Sequence, residues 1–287
     1  SAHQPSLAYV PYLVTGDYYY LEELQFWANW NIFRSNPDYR GGNQGLVNWE
    51  EVRGQSWSLR TLAQAAHITP DSNAMKKYFV DRTNYNISWY VNAYPNNSSA
   101  PALGFLTNGF AIRNNSVMSP WEDDFFTGVT GYLVDLGFTN AIPIRDWKSK
   151  FVVGRFGNDP TFCKYQGADY TYIVVDGNGQ YISDWAILKQ VNYPGSCPSN
   201  YIDYLFSTNG YLAHARVALA TAVVAGYSNS INYIADIKQA QQISSPVADY
   251  ASDPTWSIVP RPSGTTAPPS TKFTLNDRVQ VQLGPLN

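Results

Sequence analysis

The chain has 287 residues, enough for one large domain or two small ones. Its formal net charge is −3 and only 14% of its residues are charged, so it has no basic excess to neutralise phosphates and nucleic acid is not an expected partner. No apolar run is long enough to span a bilayer, which excludes a single membrane-crossing helix as an expectation.

Taken from the N-terminus, hydrophobic periodicity predicts four helix hairpins, each a pair of helical stretches around a short turn of Gly, Pro, Asp or Asn. The first joins residues 5–15 to 18–33 through Gly16-Asp17, and the second joins 50–69 to 73–94 through Pro70-Asp71. The third joins 121–138 to 143–153 through Thr139-Asn140, and the fourth joins 200–225 to 230–243 through residues 226–229. Core stripes stand out within them: Leu59, Leu62, Ala63 and Ala66; Phe126, Val129, Leu133 and Leu136; Leu212, Ala215, Leu219, Ala222 and Val223. Alanine-rich first helices let neighbouring helices approach closely, as an inner ring requires.

Turns inside the hairpins are short, whereas the connections between them are long and chemically varied. The longest, residues 160–199, carries the one clear β signal: Tyr170 to Val175 and Gln180 to Trp185 flank Asp176-Gly177-Asn178-Gly179, predicting a small β-hairpin within 168–186. This asymmetry gives one plain face and one decorated face, and function concentrates on the latter. Residues 1–256 therefore read as one mainly α domain of helical hairpins, 257–272 as a Pro/Ser/Thr-rich linker, and 273–287 as a strand-like tail. That tail is either the first strand of a further module or a strand folding back. The chain opens at Ser1-Ala2-His3-Gln4-Pro5, and an upstream leader or domain of the same precursor is expected.

Aromatic residues make up 15% of the chain, with 22 Tyr and 9 Trp against 19 Lys plus Arg. Such an excess suits stacking on the apolar faces of sugar rings; a large core with ordinary surface tyrosines is the plainer account. Cys163 and Cys197, 34 residues apart, fit one disulfide and an oxidising compartment, secreted or periplasmic; two free thiols are the alternative. No CxxC, no Cys/His cluster, no HExxH, no nucleotide loop and no GxSxG occurs, so no metal and no cofactor is expected.

The hairpin pattern, the loop asymmetry and the aromatic content together resemble the α/α toroid, or six-hairpin, superfamily of glycoside hydrolases and polysaccharide lyases. The resemblance covers roughly residues 2–244 and is architectural, with four hairpins where the glycosidases usually have six, so it implies a toroid or a partial toroid. It implies a polysaccharide or oligosaccharide as the partner.

Three constellations carry candidate chemistry. Ser119-Pro120-Trp121-Glu122-Asp123-Asp124 reads as a capped helix start, where acids suit the macrodipole. It also offers a carboxylate beside a Trp as general acid or base, with Asp123 or Asp124 preferred to Glu122. Trp49-Glu50-Glu51-Val52-Arg53-Gly54-Gln55-Ser56-Trp57, followed by Arg60, supplies Glu50 or Glu51 as the second carboxylate. Its other residues, Trp49, Arg53, Gln55, Trp57 and Arg60, read as sugar contacts, Arg53 suiting a uronate carboxylate; a Glu50–Arg53 pair and a core Trp are the plainer reading. His3 and Tyr9 are a candidate base and acid for proton abstraction in a lyase. The expectation is thus a glycoside hydrolase with a carboxylate pair; the alternatives are β-elimination on a uronate polymer and a non-catalytic glycan-binding module.

Overall fold

A computed structural model describes residues 6–158, 160–202 and 210–241. His3, the expected linker at 257–272 and the strand-like tail at 273–287 lie outside them. Within the described residues the chain is mainly α, with nine α-helices and a two-stranded antiparallel sheet.

The helices are α1 (Tyr9–Thr15), α2 (Tyr18–Phe33), α3 (Val52–Ile68), α4 (Met75–Ala93), α5 (Pro120–Asp135), α6 (Ile142–Val153), α7 (Trp185–Asn192), α8 (Tyr211–Val224) and α9 (Ser230–Ala240). The strands β1 (Val117–Met118) and β2 (Tyr172–Ile173) pair Val117 with Ile173 and Met118 with Tyr172. Four hairpins result, α1–α2, α3–α4, α5–α6 and α8–α9, at the expected places. Gly16 closes α1 in the left-handed conformation, and the side chain of Asp17 caps α2 by accepting from the backbone of Tyr19.

The first helices α3, α5 and α8 pack side by side, and α4, α6 and α9 back them. Residue pairing fixes their direction. Arg53, Trp57 and Gln64 of α3 meet Trp121, Phe125 and Tyr132 of α5 in the same order. Trp121 meets Tyr211 and His214, while Gly131 faces Thr221 further along. All three first helices therefore run parallel, with their N-terminal ends at one edge. Gly128 and Gly131 make the α5–α8 approach possible: a Cβ on either would lie 2.5 Å from Val217 and 2.8 Å from Thr221 respectively.

The long connections cover that N-terminal edge, and they differ locally from expectation. Asp176 accepts from the backbone of Asn178 and Gln180, and Val175 bridges Tyr181, so the turn forms. The second arm stops early, however, because Asp184 caps a helix at Ile187 and Trp185 opens α7. Likewise, α8 starts at Tyr211 rather than near residue 200, and Tyr201–Ile202 is irregular. No helix of the described residues is long and apolar enough to cross a membrane.

Candidate functional site

Successive residues in the first turn of α5 point in different directions, at about 100° each. Trp121 faces α8, stacking on Tyr211 at 5.3 Å with His214 edge-on at 5.5 Å. Glu122 faces α3 and the loop carrying Arg113. Asp123 faces α6, where Lys148 pairs with it and the backbone N–H of Leu106 donates at 3.1 Å. Asp124 faces Arg155, which also donates to the carbonyl of Gly167. Asp123 and Asp124, the preferred candidate acids, are each 1% exposed and held in ion pairs with the buried Lys148 and Arg155; Glu122, 2% exposed, differs from them in its partners rather than in burial. Burial pushes the Asp124 carboxyl up to about 6 despite Arg155, and pulls the Lys148 ammonium down.

The edge itself is built around Glu122. Its Oε1 accepts from Nη2 of Arg113 at 2.7 Å, and its Oε2 accepts from the backbone N–H of Arg53 at 3.3 Å. The Arg53 side chain lies 3.8 Å from Glu122 and 2.6 Å from Glu51, so one guanidinium links both carboxylates. Burial raises the Glu122 carboxyl above its ordinary value; Arg113 opposes the shift and Glu51 adds to it. Arg53 also lies 5.7 Å from the centroid of Trp121. Arg113 is hydrogen-bonded to Tyr170, whose ring stacks on Tyr211 at 5.8 Å. Ser119, expected to cap α5, instead accepts from Arg113 at 2.8 Å, and no side chain caps the helix.

Below this edge the facing stripes of α3 and α5 continue. Trp57 meets Phe125 edge-on at 4.8 Å, and the Arg60 guanidinium lies over Trp57 at 4.2 Å. Tyr9 is hydrogen-bonded to Tyr132, and burial pushes its phenol up. Gln64 donates to the Tyr132 hydroxyl at 3.2 Å and accepts from Ser6 at 2.5 Å. The structure thus gathers Glu51, Arg53 and Trp121 at the edge, and Tyr9, Trp57 and Arg60 below it.

Other candidate residues lie apart. Glu50 pairs with Arg34 rather than with Arg53. Gln55 is 1% exposed and fully engaged: it donates to the carbonyls of Glu50 and Asn108 and accepts from Tyr90 at 2.7 Å. That makes it a strut between α3, α4 and the loops, with no donor left for a ligand. Trp49 stacks on Tyr39 at 4.0 Å in an exposed aromatic patch with Phe110. The Cys163 and Cys197 thiols are unjoined, the first buried and the second exposed, in side-chain hydrogen-bond contact with one another. No three His, Cys, Asp or Glu side chains of the described residues group as metal ligands.

Arg113, Tyr132, Tyr170 and Tyr211 belong to this surface and are not singled out by sequence pattern. Tyr132 was within reach, since residues 121, 125, 128 and 132 share one helical face. Arg113 and Tyr170 come from separate irregular loops, where no periodicity links them. Chemically, the edge combines two carboxylates in unlike settings, two guanidinium groups and three stacked rings. No protein-family model, no curated protein and no solved structure matches the chain.

Proposed function

We propose that this chain is an extracytoplasmic carbohydrate-active enzyme, which binds a polysaccharide across the edge where α3, α5 and α8 begin and hydrolyses its glycosidic bonds. The observation that carries the reading is the placement of Glu51 and Glu122 on one guanidinium, Arg53, beside the stacked rings of Trp121 and Tyr211. Glycosidic hydrolysis needs a protonated carboxyl and an ionised one. Glu122, buried and raised, is the proton donor; Glu51, about a third exposed, is the second carboxylate. Arg113 exchanges Glu122 for the glycan as the sugar enters. Parallel first helices backed by second helices support the partial α/α toroid as the scaffold of this cleft.

The test is incubation of the purified chain with neutral and uronic polysaccharides, following reducing ends and ultraviolet absorbance together. Reducing ends without absorbance are expected, and Glu122→Gln and Glu51→Gln each abolish them. A second reading rests on the Arg113–Tyr170 contact: a phenol beside a guanidinium suits proton abstraction next to a uronate carboxylate. Unsaturated, ultraviolet-absorbing products would select it. Retention on a glycan with both channels silent would reduce the chain to a binding module.

A further inference from the structure

We propose that the α3–α5 face centred on Arg60 is a subsite for an anionic group, a carboxylate or a sulfate, carried by the polysaccharide; the proposal rests on the reading of this surface as a glycan cleft. Residues 53, 57, 60 and 64 share one face of α3, and Trp121, Phe125 and Tyr132 of α5 meet it. Down this seam the side chains of α3 run guanidinium, indole, guanidinium, amide. Every ionisable group at the upper rung is matched, since Arg53 and Arg113 face Glu51 and Glu122. Arg60 is different. Among the described residues no carboxylate pairs with it, and its Nε atom is buried without a hydrogen-bond partner.

Its neighbours are the indole of Trp57 and the phenol of Tyr132, which is itself tied to Tyr9 and Gln64. Neither is a carboxylate. Burial accordingly lowers Arg60 to about 10, which is the direction expected of a desolvated cation without a counter-ion. Three arginines against two glutamates leave one positive charge on the surface, and it resides here. A half-buried cation without a partner has lost part of its hydration, and an incoming anion offsets that cost. The guanidinium fork matches a planar carboxylate or a sulfate, it lies over Trp57, and the Tyr132 hydroxyl is close to it for a sugar hydroxyl.

Isothermal titration of the full chain with galacturonate, sulfated galactan and neutral galactan hexamers tests this. At least one anionic hexamer should bind about tenfold more tightly than the neutral one, and which one does so identifies the source of the anion. Arg60→Met, which keeps the stem packed on Trp57, should erase the preference without lowering Tm. Arg60→Lys, which keeps a cation but not the flat fork, should retain only part of it. Equal binding of all three hexamers, or a preference that survives Arg60→Met, overturns the proposal. Binding of the neutral hexamer alone, or of no hexamer, overturns the anionic subsite, and the reducing-end assay on the polysaccharide panel decides the hydrolase reading separately.

Discussion

Nη2 of Arg113 lies 2.7 Å from Oε1 of Glu122, and this contact sustains a carboxylate only 3% exposed at the start of α5. Arg113 itself is a third exposed, so the pair is worth less than a fully buried one. Arg113→Ala leaves Glu122 with the Arg53 contacts alone and should destabilise the chain by about 1–3 kcal/mol, read from the urea midpoint. Adding Glu122→Gln, which removes the stranded charge, should recover part of that loss. Strict additivity of the two substitutions would show that the contact does not stabilise the fold.

A larger effect is expected one residue further along. Asp123 and Lys148 are both almost wholly buried, and Asp123 additionally takes the Leu106 N–H while Lys148 donates to the Gly104 carbonyl at 2.9 Å. Lys148→Met strands a charge in the core and should cost about 3–5 kcal/mol. Asp123→Asn should also destabilise, while whatever folded protein remains keeps its rate of reducing-end release. A variant of normal stability but lost turnover would return Asp123 to the chemistry.

The contrast between Glu122 and its two neighbours shows how far the sequence could be read. The helices were legible because Leu59, Leu62, Ala63 and Ala66 form a buried stripe on α3, and Leu212, Ala215, Leu219 and Ala222 do the same on α8. The hairpin turns were legible from Gly16-Asp17 and Pro70-Asp71. The orientation of α5 was not. Glu122, Asp123 and Asp124 are equivalent as letters, and which of them faces α3 depends on how α5 rotates against α6 and α8. Gly128 and Gly131 set that rotation by admitting Val217 and Thr221, a contact between residues about 90 apart in sequence. Arg113 and Tyr170 reach the edge through loops whose course depends on the β1–β2 pairing, two residues long on each strand and without a strong local pattern.

The raised Asp124 carboxyl gives a pH dependence of definite sign. In the folded chain it titrates at about 6, against the ordinary 3.8 taken for the unfolded chain. The folded state therefore holds the proton more tightly. Its stabilising contribution is complete below 3.8 and is lost as pH rises through about 6. Stability should fall across that window by roughly 2–3 kcal/mol, and Asp124→Asn, which cannot titrate, should flatten this slope while lowering stability overall. Urea unfolding at a series of pH values measures both. A slope unchanged in Asp124→Asn assigns the titration to another group, Glu122 being next because burial raises it too.

The cysteine pair gives a prediction independent of the glycan site. Cys163 and Cys197 are already in contact, so closing the bond needs little movement of the 160–199 connection. Oxidised glutathione is the natural oxidant for the test: it takes up two electrons and both thiol protons as the Sγ–Sγ bond forms, and two reduced glutathione molecules leave. Exposed Cys197 meets the oxidant first, and Cys163 then displaces glutathione from the mixed disulfide. Burial, reinforced by the hydrogen bond to Cys197, pushes the Cys163 thiol up to about 11, so thiolate is scarce at neutral pH and closure should quicken as pH rises. The finished bond should add about 3–4 kcal/mol by restricting the unfolded chain between residues 163 and 197. The measurement is a two-hydrogen mass loss accompanied by a rise in Tm. Cys197→Ser should lose both. An oxidised protein that gains the bond between these two residues but no stability would mean that closure strains the loop by as much as it restrains the unfolded chain.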